Sequence, residues 1–363
     1  MAPKLSLTMI VRDEEATLGR VLYAAGKFCD ELVVVDTGST DRTRDIAEAA
    51  GARVLNFPWV DDFAAARNHA LQAATGDWVL WLDADDVLTK DVQDAMLLVK
   101  KTVLSDNLDA IYSPYQYHFD AAGVCTYDFP RERLVRKTDA LNWVGRVHEV
   151  LHGAGSRTMH RDDLYVEHRP KEAKQLAKVD RNLLILESVL AEGDRSSRTL
   201  LYYACELCDH KRYAEAYLVF EEYLTASPAV DWERHNVLVR MAQCALEDDR
   251  VDEARTRLFE ALTLDPCRTE PFLILGHLHF TQSEWSKALP WYSAASVLAR
   301  PRDGFVDRAD YSWRPWDHLS VCLINTGKLA EGIAATLKAI ELGSPEVNRL
   351  RKNATWAIDE LTK

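Results

Sequence analysis

The feature that most constrains this chain is a change of periodicity near residue 172. Before it, short β-branched and apolar runs alternate with stretches of helical period. After it, nearly every segment repeats at about 3.6 residues and turns recur at intervals. The two patterns require different layer architectures. The 363 residues therefore divide into an expected α/β domain, 1–172, and an all-α domain, 173–363.

In the first part, Leu5–Val11 has the composition of a strand, and a helix is expected from about Glu14 to Lys27, with Leu18, Val21, Leu22 and Ala25 on one face. Glu31–Asp36 contains three consecutive valines, as expected of a strand covered on both faces. A helix from about Arg42 to Ala50 ends at Gly51. A short strand covers Arg53–Leu55, a helix Phe63–Ala74, and a strand Asp77–Leu82. This alternation is that of a doubly wound sheet, whose ligands sit at the carboxyl ends of the strands. Asp36 and Asp83 both occupy such ends. Beyond residue 110 the pattern turns β-like, with Tyr112, Tyr115 and Tyr117 assigned equally well to core or to cleft lining.

The second part carries an internal repeat. A small residue is followed twelve positions on by Ala or Gly, four further on by a bulky residue, and about eight later by Pro. The copies are Ala204, Ala216, Phe220, Pro228; Ala242, Ala254, Leu258, Pro266; Gly276, Ala288, Tyr292, Pro301; and Ser320, Gly332, Thr336, Pro345. Small residues let antiparallel helices approach, and Pro stops the second helix. The pattern resembles the 34-residue tetratricopeptide repeat. An insertion, Asp303–Trp316, stretches the last interval; Trp313 and Trp316 are assigned to packing or to an acceptor clamp. A helix over about Ala173–Leu190 is expected to cap the stack or link the domains.

Composition narrows the function classes. The net charge of −13 disfavours a general nucleic-acid or anionic-membrane binder, and no run approaches the ~18 apolar residues of a membrane helix. The N-terminus has the character of a first strand and lacks that of a secretory signal. Seven scattered cysteines argue against a disulfide framework and for a cytoplasmic location, and Cys205-x-x-Cys208 is expected to fill core positions. No Gly-rich phosphate loop is present.

The chemistry concentrates at Asp83-Ala84-Asp85-Asp86, which follows a strand. Asp-x-Asp is common as a cap or solvated turn, but a strand end is a rigid mount for carboxylates, and hard divalent ions take oxygen ligands. Four blocks occur in order: Ser6–Glu15, Val33–Asp41, Trp59–Asn68 and Gly76–Asp86. Together they resemble a family-2 glycosyltransferase of the GT-A fold. The similarity is greatest to the branch that joins this Rossmann-like nucleotide-sugar-binding domain to tetratricopeptide repeats, a branch that includes peptide and bacteriocin glycosyltransferases.

The resemblance implies that Thr8, Glu14 and Asp36 line a nucleoside pocket and that Arg67 and Asn68 lie near the sugar or diphosphate. Asp83 and Asp85 would form the metal and nucleotide site for Mn²⁺ or Mg²⁺, with Asp86 toward the sugar. The family usually carries Asn where this chain has Asp13. Arg133, Arg136 and Arg146 are candidates to steady the diphosphate, and His148 and His168 compete as a further metal ligand. Glu149, in Trp143–Glu149, is the candidate base, its bland alternative being an ion pair with Arg133 or Arg146. The implied reaction is inverting transfer from a nucleotide sugar, most often a UDP sugar, to a protein or peptide acceptor. An inactive repeat scaffold, and transfer to an envelope glycan or modified DNA base, stand as alternatives. A homodimer through the repeats is a further expectation.

Overall fold

The computed structural model describes residues 3–363 apart from 105, 106, 121, 122, 171, 227–230, 302, 303 and 305, and apart from the side chains of 172–179. The repeat position Pro228 and the insertion's first residue Asp303 lie outside the described residues. The chain forms two compact units, Met1–Arg195 and Ser196–Lys363.

In the first unit, β1 (Leu5–Val11), β2 (Glu31–Asp36), β3 (Arg53–Asn56) and β4 (Trp78–Trp81) are parallel, in the order β3-β2-β1-β4. The helices α1 (Leu18–Ala25), α2 (Thr43–Ala49) and α3 (Phe63–Ala73) connect them. Leu32 and Val34 of β2 enter one core, while Val33 and Val35 enter the other, so both faces of the strand are covered as the valine run predicts. The first helix begins at Leu18, four residues later than its periodicity suggests. Asp13 adopts φ +52°, and the Glu14 N–H is donated to Thr43 Oγ1 at 2.6 Å, so a turn precedes the helix.

After β4 the chain forms β5 (Asp86–Val87), α4 (Lys90–Thr102) and the long strands β6 (Ala110–Phe119) and β7 (Cys125–Arg136). A ribbon of β8 (Asn142–Val144) and β9 (Val150–His152) follows, then β10 (Thr158–His160), β11 (Val166–His168) and α5 (Glu172–Ala191). The β7 strand joins β4 antiparallel, and the sheet continues β7-β6-β11-β5. The β5–β11 pairing sets His168 opposite Asp86. The α5 helix falls within the first compact unit.

The second unit is a run of antiparallel helix pairs: α6 (Ser197–Asp209) with α7 (Tyr213–Ala226), α8 (Asp231–Glu247) with α9 (Val251–Leu264), α10 (Glu270–Phe280) with α11 (Trp285–Ala295), and α12 (Trp313–Asn325) with α13 (Leu329–Glu341). A last helix, α14 (Val347–Leu361), follows. The three helical repeat positions of all four copies are buried. Two of the small residues are there for space: a Cβ on Gly276 would meet the Tyr292 ring at 2.9 Å, and one on Gly332 would meet Ile324 Cγ1 at 2.6 Å. The second unit is a tetratricopeptide-like helical domain. Trp313 opens α12, and Trp316 packs on the core of the last repeats. Cys208 meets Cys244 across two helices, Sγ to Sγ 3.3 Å, and both are free thiols. No helix among the described residues is long and apolar enough to cross a membrane.

Candidate active site

The carboxyl ends of β1, β2 and β4 lie side by side, and the candidate residues gather along them. At the end of β2, Asp36 is buried and accepts the Ser39 N–H at 3.1 Å, so it closes the turn into α2. Glu14 accepts the Thr17 hydroxyl at 2.9 Å just beyond β1. Asp13, the departure from the family pattern, directs its carboxylate onto the Thr40 N–H at 2.7 Å. Thr8 shares a crevice with Arg67, Trp81 and Trp143.

Arg67 is the hub of one half of the site. Its helix starts at the Asp62 cap, which accepts the Ala65 N–H. The guanidinium donates from Nε to Glu149 at 2.5 Å and from Nη2 to Asp83 at 2.7 Å, with the Trp81 and Trp143 rings about it. Asn68 uses both ends of its amide on the Trp143 backbone, donating to O and accepting from N. The pairing ties β8 to α3 and so holds Glu149 over Arg67. Burial pushes the Asp83 carboxyl up, but the Arg67 and Arg133 charges outweigh it and hold it well below the usual carboxylate range.

The other half is built on Asp85, Asp86 and His168, all buried, whose ligand-capable atoms lie within 4.8 Å of one another. Asp86 Oδ2 accepts the Asp83 N–H at 2.9 Å and faces Arg133 at 3.5 Å. Its Oδ1 accepts the Tyr115 hydroxyl at 3.0 Å, and that hydroxyl lies 2.8 Å from His168 Nδ1. A hydroxyl has one proton, so Tyr115, donating to Asp86, accepts from Nδ1–H of His168. Tyr115 keeps that proton because burial, and then the Asp86 charge, raise it well above its ordinary value. Burial disfavours the imidazolium, yet Asp85 and Asp86 outweigh burial and bring His168 up to about 9. Tyr117 stacks on the His168 ring at 4.7 Å.

The arginines separate according to strand register. Arg133 lies past Leu134, which pairs with Leu80, and is enclosed between the Trp81 and Tyr115 rings at 3.9 and 4.1 Å. Only 1% of it is exposed, so it acts on the site from behind, through its charge on Asp86 and Asp83. Arg136 pairs with Trp78 at the opposite end of β4 and binds Asp109 at 2.6 Å, away from the carboxylates. Arg146 makes a two-pronged bond to Glu192. His148 lies beside Glu149 at φ +52° and outside the Asp85–Asp86–His168 group. Sequence reasoning missed the bridging role of Tyr115, the stacking of Tyr117 and the ring box of Trp81 and Trp143. Tyr115 and Tyr117 share a strand face, but no local pattern says which face meets His168.

Residues 6–126, which contain this strand–helix series and the Asp83–Asp86 segment, match the model of the glycosyl transferase family 2. The first unit carries a family 2 glycosyltransferase domain. Similar proteins include a TPR repeat-containing protein of Synechococcus elongatus, 58% identical over 85 residues, which are 23% of this chain and 21% of that protein. An uncharacterized glycosyltransferase of Rickettsia bellii is 34% identical over 116 residues, covering 32% of this chain and 38% of its own. The prophage-derived glycosyltransferase SunS of Bacillus subtilis is 24% identical over 212 residues, covering 56% and 49%. The chain thus spans less than half the length of these curated relatives. In this glycosyltransferase domain, Asp83, Asp85 and Asp86 stand where the parallel strands end.

Proposed function

We propose that the protein transfers a sugar from a nucleotide sugar, a UDP sugar foremost, to a protein or peptide acceptor by single displacement with inversion. The observation that carries this reading is the gathering of Asp85, Asp86 and His168 at the carboxyl end of β4, within the glycosyltransferase domain. Glu14 and Asp36 lie at the ends of β1 and β2, and Thr8 stands within β1 beside the last residue of β4, where a nucleoside would rest.

Two carboxylates and an imidazole are a donor set that fits Mn²⁺ or Mg²⁺. Asp85, Asp86 and His168 would hold the ion, with Tyr115 and Arg133 fixing Asp86 from behind. A bound divalent ion supplies positive charge to the departing diphosphate. Tyr115 holds the ring of His168, and Arg133 lends its charge through Asp86 and Asp83.

Glu149 is the group that would take the proton of the acceptor nucleophile, and Arg67 holds it at a fixed distance from Asp83. Arg136 and Arg146 are engaged by Asp109 and Glu192 and take no part. No covalent sugar–enzyme intermediate is involved.

The test is a panel of UDP sugars with Mn²⁺, scored by thermal shift and by UDP released. Binding and slow hydrolysis that both disappear in Asp85→Asn are expected. Absence of binding to every nucleotide sugar tried, by a folded protein, refutes the proposal.

A further inference from the structure

The second unit contains a cavity of about 450 Å³ between its middle and later repeats. That volume falls in the range of pockets that hold organic ligands and exceeds the needs of a single ion. One wall is apolar, formed by Leu273, Ile274 and Leu278. Three carboxylates, Glu247, Glu270 and Asp310, converge on the same space.

The positive charges facing these acids are already engaged: Arg268, which acts on Glu270, is ion-paired to Asp265 at 3.0 Å. Arg314 is the one arginine on the lining among the described residues, and it is ion-paired to Asp307 and Asp310. Of the two histidines there, His277 is exposed and His318 is driven toward neutrality by burial. Glu270 accepts the Tyr311 hydroxyl at 2.9 Å and a backbone N–H, and the nearby charge of Arg268 acts on it. Burial raises Glu270, and it raises Asp310 to about 6 in spite of Arg314. At both acids burial outweighs the positive charge at hand. Tyr292 also lines the cavity, and its buried hydroxyl has no hydrogen-bond partner among the described residues. Such an unmade bond is costly in a folded protein and is relieved by a polar ligand.

We infer that this cavity binds a lysine or arginine side chain of a peptide segment. The aliphatic stem of that side chain would lie on Leu273, Ile274 and Leu278, and its cationic head would be shared among Glu247, Glu270 and Asp310. The inference rests on the reading that the protein's acceptor is a peptide, and it gives that acceptor a chemical character: a basic residue flanked by apolar ones. Peptides with acidic residues in those positions are repelled by the same carboxylates.

Short fluorescein-labelled peptides carrying lysine or arginine beside leucine, titrated with the full chain, measure this by anisotropy. Glutamate-for-lysine counterparts and free spermidine serve as comparisons. Saturable, salt-sensitive binding of the basic peptides is expected. Loss of about tenfold in affinity is expected for each carboxylate removed in Glu270→Gln and Asp310→Asn. Glu247 is exposed, so Glu247→Lys keeps the fold intact and should weaken binding by at least as much.

Equal binding of the acidic peptides, undiminished binding by Glu247→Lys, or binding of spermidine but of no peptide each overturns the inference. UDP titrated into the same samples separates the two readings. UDP binding without basic-peptide binding sinks this inference alone. Peptide binding without any nucleotide binding sinks the proposed transfer reaction and leaves the cavity assignment standing.

Discussion

Replacing Arg67 by Met tests the hub of the candidate site. Met keeps an unbranched apolar stem between Trp81 and Trp143 and removes the charge, so the substitution isolates electrostatics from packing. Arg67 is 9% exposed in its side chain and Glu149 12%, so that pair lies close to the buried limit, while Asp83, at 29%, is partly screened by solvent. Breaking a buried pair costs about 3–5 kcal/mol because an uncompensated charge is left behind. With Asp83 discounted for screening, about 3 kcal/mol is expected for Arg67→Met.

The decisive arm is the double variant. In the native protein Glu149→Gln removes a partner of Arg67 and should destabilise by about 1–2 kcal/mol. In the Arg67→Met background Glu149 has lost the guanidinium that held it near Asp83, so Glu149→Gln should be neutral or stabilising. The cycle then yields a coupling of about 1–3 kcal/mol. Urea unfolding followed by tryptophan fluorescence, to which Trp81 and Trp143 contribute, measures it. Additivity within about 0.5 kcal/mol would show that Arg67 is a packed side chain and not the electrostatic link between the two carboxylates.

Other substitutions probe the remaining elements. With Mn²⁺ at a hundredfold excess over its dissociation constant, the native protein should gain about 2.7 kcal/mol of stability, and Asp85→Asn or His168→Ala should erase that gain. In the same variants UDP-sugar hydrolysis should fall about 10²–10³-fold, whereas Arg136→Gln should leave it unchanged. Gly276→Ala drives a Cβ to 2.9 Å from the Tyr292 ring and should lower stability by about 1–3 kcal/mol in thermal unfolding of the second unit. Asp310 titrates at about 6 in the folded state against about 3.9 unfolded, so the native protein binds more protons between these values. Its contribution therefore opposes folding increasingly as pH rises from about 4 to about 6, and Asp310→Asn should flatten that slope in urea midpoints taken across the range.

Much of this molecule follows from local pattern. The valine run of β2 reports a strand covered on both faces, because residues alternate across a sheet whatever it packs against. The repeat's small residues lie where the helices of each pair meet, and Gly276 and Gly332 prove to have no room for a methyl group. Asp83-Ala84-Asp85-Asp86 lies at a strand end by local pattern, whereas His168 before Pro170 becomes a candidate only through the family resemblance.

The partnerships were not legible. Arg133 and Arg136 are three residues apart in similar surroundings. The register of β7 against β4 sends the first to the Asp86 end and leaves the second with Asp109. Asn68 resembles a ligand contact by motif and in the fold pins the ribbon that carries Glu149. Tyr115 gains its role from strands that bring Asp86 and His168 to it from 29 residues before and 53 after.

The sequence by itself determined the two architectures, the strand ends that carry the acids and the helix-pair spacing. Each of these depends on backbone period and on residues a few positions apart. The tertiary structure alone decided which carboxylate meets which cation, since those contacts span 16 to 82 residues and are set by sheet register and by the ribbon's seat on α3. A single-residue slip would turn each side chain to the other face without altering the local pattern that announces the strand.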